Sequence, residues 1–184
     1  MRSTGRLYAF DTSAHRLDAF KSRLKRSGLS NVHPAAIAHE RDDRVKRLAG
    51  KIDRVLVDAP CSGTGTLRRN PDLKWRQGEA HIAELTELQA KILEAAAPLV
   101  RPGGVLVYAT CSLLPQENTL IQQAFSDAHP EFEVVDPVAQ LAAVGIELPA
   151  DALIAGPTNL PGLQLLPHRH GTDGFFAAIW RKRI

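Results

Sequence analysis

The sequence predicts an α/β fold, and three features carry that expectation. Short apolar runs alternate with stretches of helical periodicity, the apolar runs end abruptly in Asp, Thr or Ser, and Pro/Gly breaks separate the two kinds of segment. At 184 residues, 44% of them hydrophobic, the chain is long enough for one domain with a real core. No run nears the roughly 18 to 20 consecutive apolar residues of a membrane helix. The basic start Met1–Arg6 is followed by no signal-peptide core, so a cytoplasmic protein without a membrane partner is expected. Two cysteines suffice for neither a disulfide framework nor an all-cysteine zinc site, and no metal is expected. A net charge of +3 permits a nucleic-acid partner without demonstrating one.

The first run, residues 6–11, is β-prone and closes on Asp11, with Thr12 and Ser13 as candidate helix caps. Leu17, Phe20 and Leu24 then recur at helical spacing until Gly28, and Arg16, Lys21, Arg23, Lys25 and Arg26 form a basic face. That face reads first as a solvated surface and second as an RNA contact. A second apolar run, Ala35–Ala38, leads into a polar stretch from His39 to Asp43. A third, Arg54–Val57, is almost wholly apolar and is expected to be buried on both faces as a parallel strand. Ile82, Leu85, Leu88, Ile92 and Ala96 mark an amphipathic helix over 79–97, ended by Pro98. Residues 101–104 read as a turn and Val105–Ala109 as the next strand. A helix over 116–128 follows, with Leu120, Ile121, Ala124 and Phe125 on one side, then a strand over 132–135. From Asp136 to Pro167, five prolines (137, 149, 157, 161 and 167) break the periodicity, and an irregular excursion is expected there. Residues 174–180 form the last strand before a basic tail.

Ligands of open parallel sheets sit beyond the carboxyl ends of the strands, so the loops after apolar runs are the places to look. Three qualify: Asp11; Asp58-Ala-Pro-Cys-Ser-Gly-Thr-Gly65; and Thr110-Cys-Ser112. If the second and third strands are neighbours, Cys61 and Cys111 converge although 111 − 61 = 50 residues separate them. A carboxylate such as Asp11 can accept both hydroxyls of a ribose, or it can simply cap a helix. The 58–65 segment has neither the lysine nor the spacing of a phosphate loop. Each cysteine alone reads as a small buried hydrophobe; their joint placement at strand ends, each beside a serine, points instead to reactive thiols. None of the seven histidines is a recognisable base for a cysteine hydrolase.

The segment from Asp58 to Gly65, followed by Arg68-Arg-Asn-Pro-Asp72 and Lys74-Trp75, then Thr110-Cys-Ser112 with Glu117-Asn118, closely resembles the RNA cytosine-C5 methyltransferases of the RsmB (Sun, Fmu) type. Asp173-Gly-Phe-Phe176 is similar to the family's last motif. The resemblance spans essentially the whole chain. It implies a Rossmann-like methyltransferase sheet, S-adenosylmethionine as cofactor and an RNA substrate, 16S ribosomal RNA. By motif position, Cys111 matches the nucleophile and Cys61 the cysteine that assists product release. Asp58 would lie beside the target base and the sulfonium, and Pro60 would shape the base pocket while touching cofactor and RNA. Asp11 matches the ribose-binding acid, and either Glu40 or Asp42 the adenine-side acid. Arg68, Arg69 and Lys74 are candidates for RNA phosphate contacts, against ordinary pairing with Asp72 or Glu79.

The family carries, before the strand that ends at Asp11, a first strand and a glycine-rich loop with a lysine, and Met1–Leu7 does not supply them. The chain is therefore expected to be a partial catalytic domain, residues 1–184, from the C-terminal part of such an enzyme. Its sheet would lack the central strand between those ending at Asp11 and Asp58, and an N-terminal segment or second chain would complete it. The other expectation is a noncatalytic RNA-binding remnant of that enzyme.

Overall fold

The computed structural model describes residues 4–154 and 159–184; residues 1–3 of the basic start, and Pro157, lie outside them. Where length suggests one domain, the chain divides into two compact units, Met1–Arg47 and Leu48–Ile184, because the backbone pairs in two separate sheets.

In the first unit, strand β1 (Leu7–Asp11) pairs in parallel with β2 (Val32–Ala36), from Leu7 opposite Val32 to Asp11 opposite Ala36. That register starts β2 three residues before the apolar run begins. Helix α1 (Ala14–Ser27) connects them, its first turn capped by the Ser13 hydroxyl accepting from the Arg16 N–H and its end set by Gly28 in the left-handed conformation. Leu17 is buried and Phe20 and Leu24 are half-buried, as the spacing requires. The basic side chains lie on the exposed face, where Arg16 meets Asp11 and Lys21 meets Asp18. A single helical turn, α2 (Asp43–Lys46), closes the unit.

The second unit is built on a mixed sheet. Strand β3 (Ile52–Asp58) is parallel to β4 (Val100–Thr110), which is antiparallel to β8 (Phe175–Lys182). The outer edge of β8 is shared: β5 (Phe132–Val135) pairs with its second half and β7 (Gly162–Leu165) with its first. Helices α4 (Glu79–Ala96) and α5 (Thr119–Ala128) cover one face, where Leu93, Leu106, Tyr108, Ile121, Phe125, Phe176 and Trp180 make the core. On the other face Ala177 packs with Leu163 and Ala152 against α6 (Pro137–Ala142). No helix among the described residues is long and apolar enough to cross a membrane.

Four expectations are corrected. First, β3 is not buried on both faces: it is an end strand of its sheet, Val57 packs inward, and Leu56 on the alternate face is 66% exposed. Second, residues 101–104 are not a turn between elements but an irregularity inside β4; the register jumps from Ile52 opposite Val100 to Arg54 opposite Val105, and Gly103 takes a left-handed φ of 72° there. Third, the helix stripes are rotated slightly. Gln89 and Leu93, not Leu88, face the core of α4, while in α5 Gln122 is buried and Leu120 and Ala124 are exposed. Fourth, the 136–167 excursion contains regular pieces: α6, the two-residue β6 (Leu153–Ile154) paired with β7, and the start of α7 (Pro167–His170). Pro137 and Pro167 open α6 and α7 and Pro161 directly precedes β7, and the Gln122 amide donates to Pro161 O, which binds the segment to α5.

Candidate active site

Asp58 and Thr110 are the last residues of adjacent parallel strands, and the ladder continues one step further, with Ala59 N–H donating to Ala109 O at 3.0 Å. The next residues outward therefore leave the sheet side by side. Cys61 Sγ and Cys111 Sγ come to rest 3.4 Å apart, both half-buried, in the free thiol form. The convergence expected from strand adjacency is thus met.

The two sulfurs differ in their hold on a proton. The hydrogen bond from Cys61 lowers Cys111 to about 7, against opposition from burial and from the nearby Asp58 and Glu117 charges. Donating that same hydrogen bond, together with burial, raises Cys61 well above the ordinary thiol value. The pair therefore gives up its first proton near neutral pH, from Cys111, while Cys61 keeps its own.

A buried carboxylate fixes the two loops to one another. Glu117, in the 3-10 turn between β4 and α5, is fully buried. Its Oε1 accepts from Ser62 N–H at 2.8 Å and from the Gln89 amide at 3.0 Å; its Oε2 accepts from the hydroxyls of Ser62 and Ser112. The serine following each cysteine therefore hangs on the same acid. The Gln89 amide also donates to Pro60 O, and Tyr108 Oη donates to Glu117 O at 2.6 Å. Asn118 accepts from Thr110 Oγ1 and donates to Ser112 O. A buried charge with this many donors is tolerable only while all of them remain.

The last strand enters the same arrangement from the C-terminal side. Gly65 N–H donates to Cys111 O, and Gly174 N–H donates to Gly65 O at 2.8 Å. The backbones approach so closely that a Cβ on Gly65 would stand 2.4 Å from Gly174 O, and one on Gly174 would stand 2.5 Å from Leu113 Cδ2. Arg69 grips Asp173 through two nitrogens, which raises Arg69 and lowers Asp173.

Asp58 and Pro60 are exposed beside the thiols, and Arg68 and Lys74 are exposed on the segment that follows. The partner of Arg69 is Asp173, not Asp72 or Glu79; Asp72 instead faces Arg76 at 3.8 Å. In the first unit, Asp11 accepts from Ser13 N–H at 2.7 Å through one oxygen, while the other lies 3.5 Å from exposed Arg16. Both oxygens of Asp42 are occupied by backbone, one by Ala38 N–H and one by Arg44 N–H, which lowers its carboxyl below the usual range. Glu40 is half-buried in the turn just before it. No group of three or more His, Cys, Asp or Glu suited to a metal occurs among the described residues.

Sequence reasoning places Glu117, Ser62 and Ser112 only within motifs, the serines as neighbours of the cysteines, and misses Gln89. One signal was available: Gln89 lies four residues from both Leu85 and Leu93, a polar residue on an apolar stripe.

The parallel β3–β4 pair and the antiparallel β8 beside it form an incomplete Rossmann-like sheet, and the solved structures that superpose on it define the class as the S-adenosylmethionine-dependent methyltransferases. The family model described as 16S rRNA methyltransferase RsmB/F matches residues 1–181. Ribosomal RNA small subunit methyltransferase B of Yersinia pseudotuberculosis is 39% identical over 173 residues, covering 92% of this chain and 35% of that protein. A structure of NSun6 from Pyrococcus horikoshii with SFG superposes with a TM-score of 0.75 at 28% identity, over 98% of this chain and 42% of that one. A methyltransferase homologue from Pyrococcus horikoshii gives a TM-score of 0.74 at 32% identity, over 99% of this chain and 55% of that one. The chain belongs to the RsmB/F family of 16S rRNA methyltransferases, and it spans about a third of the length of the curated relatives it matches.

Proposed function

We propose that this chain carries the catalytic thiols of an S-adenosylmethionine-dependent RNA methyltransferase that modifies carbon 5 of a cytosine in 16S ribosomal RNA. The observation that supports this best is the pair of sulfurs 3.4 Å apart beyond the ends of adjacent parallel strands, an arrangement that lowers the proton affinity of Cys111 and raises that of Cys61. Carbon 5 of cytosine is a poor nucleophile until a thiolate adds to carbon 6. Cys111 is the sulfur with the lower proton affinity, so it is the one assigned to that bond.

Once Cys111 is bonded to carbon, it no longer accepts the Cys61 hydrogen bond, and the largest cause that held the proton on Cys61 is gone. Cys61 can then give its proton to solvent, and the resulting thiolate takes the carbon 5 proton and returns to the thiol while the Cys111–carbon 6 bond breaks and the Cys111 thiolate is restored. S-adenosylmethionine, when bound, supplies the electrophilic methyl group on its sulfonium. The residues fit that cofactor chemically: Asp11 stands at a strand end with acceptor capacity remaining for a ribose diol. Glu40 is the better adenine-side acid, since backbone N–H groups already occupy Asp42. Asp58 and Pro60, exposed beside the thiols, are assigned to the cytosine and the cofactor. Arg68 and Lys74 are assigned to RNA phosphates; Arg69 is assigned to holding Asp173 instead. The target base has to be unpaired or flipped to reach a half-buried thiol, and a ribosomal substrate places the work in the cytoplasm.

RNA bearing 5-azacytidine tests the reading. The expected outcome is a covalent complex that disappears in Cys111→Ala and persists in Cys61→Ala. Trapping lost in Cys61→Ala but kept in Cys111→Ala would reverse the two roles. RNA affinity with a steep salt dependence but no trapping in any form of the chain would leave only RNA binding.

A further inference from the structure

Of the two tryptophans, Trp180 is fully buried and Trp75 is 80% exposed, the largest apolar side chain left open to water among the described residues. Trp75 lies on α3 (Leu73–Arg76), a single turn immediately downstream of the Cys61 loop. That turn is fastened from behind. The Gln77 amide donates to Ser62 O at 2.7 Å, Gln77 N–H donates to Leu73 O, and Leu73 Cδ1 sits 3.4 Å from where a Cβ on Gly63 would stand. The chain thus holds a ring outward on an element tied to the residue next to Cys61, where local packing gives that ring nothing to bury.

The surroundings are cationic. Residues 68–76 contain Arg68, Arg69, Lys74 and Arg76 against the single acid Asp72. Arg69 is engaged by Asp173 and Arg76 by Asp72, so the charge left to meet an anion is that of Arg68 and Lys74. The Lys74 ammonium stands 4.8 Å from the centroid of the Trp75 ring. An aromatic face beside unneutralised basic groups is the pairing that unpaired nucleic acid uses: a base stacks on the ring while its phosphate meets the cation.

We propose that Trp75 is a stacking platform for an unpaired RNA base near the target cytosine, with Lys74 and Arg68 holding that nucleotide's phosphates. This deepens the RNA methyltransferase reading and rests on its RNA substrate. The platform would hold an unstacked strand open beside the thiols, using a contact that every base can make and that therefore carries little sequence preference.

The test uses the full chain with single-stranded RNA and with the same oligomer in which the stacked nucleotide is replaced, position by position, by an abasic ribose. Because Trp180 is buried, iodide quenching reports Trp75. RNA is expected to protect the fluorescence from iodide, and Trp75→Ala is expected to weaken binding by roughly 5- to 150-fold, the equivalent of about 1 to 3 kcal/mol per stacked base. One abasic position should cost the wild type a similar factor and cost Trp75→Ala nothing. Trp75→Phe should restore part of the affinity, whereas Lys74→Gln should reduce the salt slope by about one phosphate without abolishing iodide protection. Equal binding by wild type and Trp75→Ala, or no iodide protection on a bound RNA, overturns the platform alone. Failure of the wild type to bind RNA overturns the RNA reading and the platform with it.

Discussion

Replacing Cys61 by alanine should disarm Cys111 at neutral pH. The hydrogen bond from Cys61 is the largest influence that brings Cys111 down to about 7 from the ordinary 9.0. What remains after its removal is burial and the charges of Asp58 and Glu117, which push upward, against a hydrogen bond from the Cys111 backbone, which pulls downward. A return to 9 favours the protonated thiol by about 2.7 kcal/mol. At pH 7 the thiolate fraction would fall from one half to about one per cent, while the more basic thiolate gains roughly 8-fold in intrinsic reactivity, leaving a net loss of about 6-fold. Above about pH 8.1 the order should invert, with the variant reacting faster. Iodoacetamide alkylation of Cys111, followed by peptide mass from pH 5.5 to 10, measures both limbs. A Cys61→Ala profile that still turns near pH 7 would refute the claim that the neighbouring thiol sets the Cys111 proton affinity. Cys61→Ser, which keeps a donor, is expected to lie between the two.

Two further outcomes follow from other parts of the second unit. Glu117→Ala strands the Ser62, Ser112 and Gln89 donors in the interior, and a loss of about 3 to 5 kcal/mol is expected, or a melting temperature lowered by roughly 6 to 20 °C; an unchanged melting curve would show that the network carries no stability. His129 stacks on Phe125 at 4.3 Å; burial alone would lower its imidazole, but hydrogen bonds with Glu94 and Glu131 outweigh this and raise it. Its stabilising contribution is present below the unfolded value of 6.5 and lost as pH rises through the higher folded value, so the melting temperature should decline across that interval and His129→Gln should flatten the decline.

The convergence of the two cysteines was legible in advance because strand ends are marked by abrupt changes of polarity, and residues just past the ends of adjacent parallel strands leave the sheet side by side. The errors share a cause. Leu56 sits in an unbroken apolar run, but a run does not say whether anything covers its second face. Gln89 and Gln122 lie on buried stripes as polar residues because each reaches across to a loop carbonyl, Pro60 O or Pro161 O, and those partners are 29 and 39 residues away. Arg101–Gly104 has the composition of a turn, yet β4 absorbs it as an irregularity because pairing with β3 resumes at Val105. Local pattern records what a segment prefers, whereas these residues answer to distant partners.

The contact between Gly65 and Gly174 sets an order on assembly. Cys111 is synthesised 174 − 111 = 63 residues before the glycine whose N–H donates to Gly65 O, and Gly65 in turn donates to Cys111 O. During translation the Cys111 loop therefore emerges before the Asp173-Gly-Phe-Phe176 segment that braces it through Gly65. A chain ended before Gly174 would carry both cysteines without the Gly174–Gly65 hydrogen bond that braces the Cys111 loop.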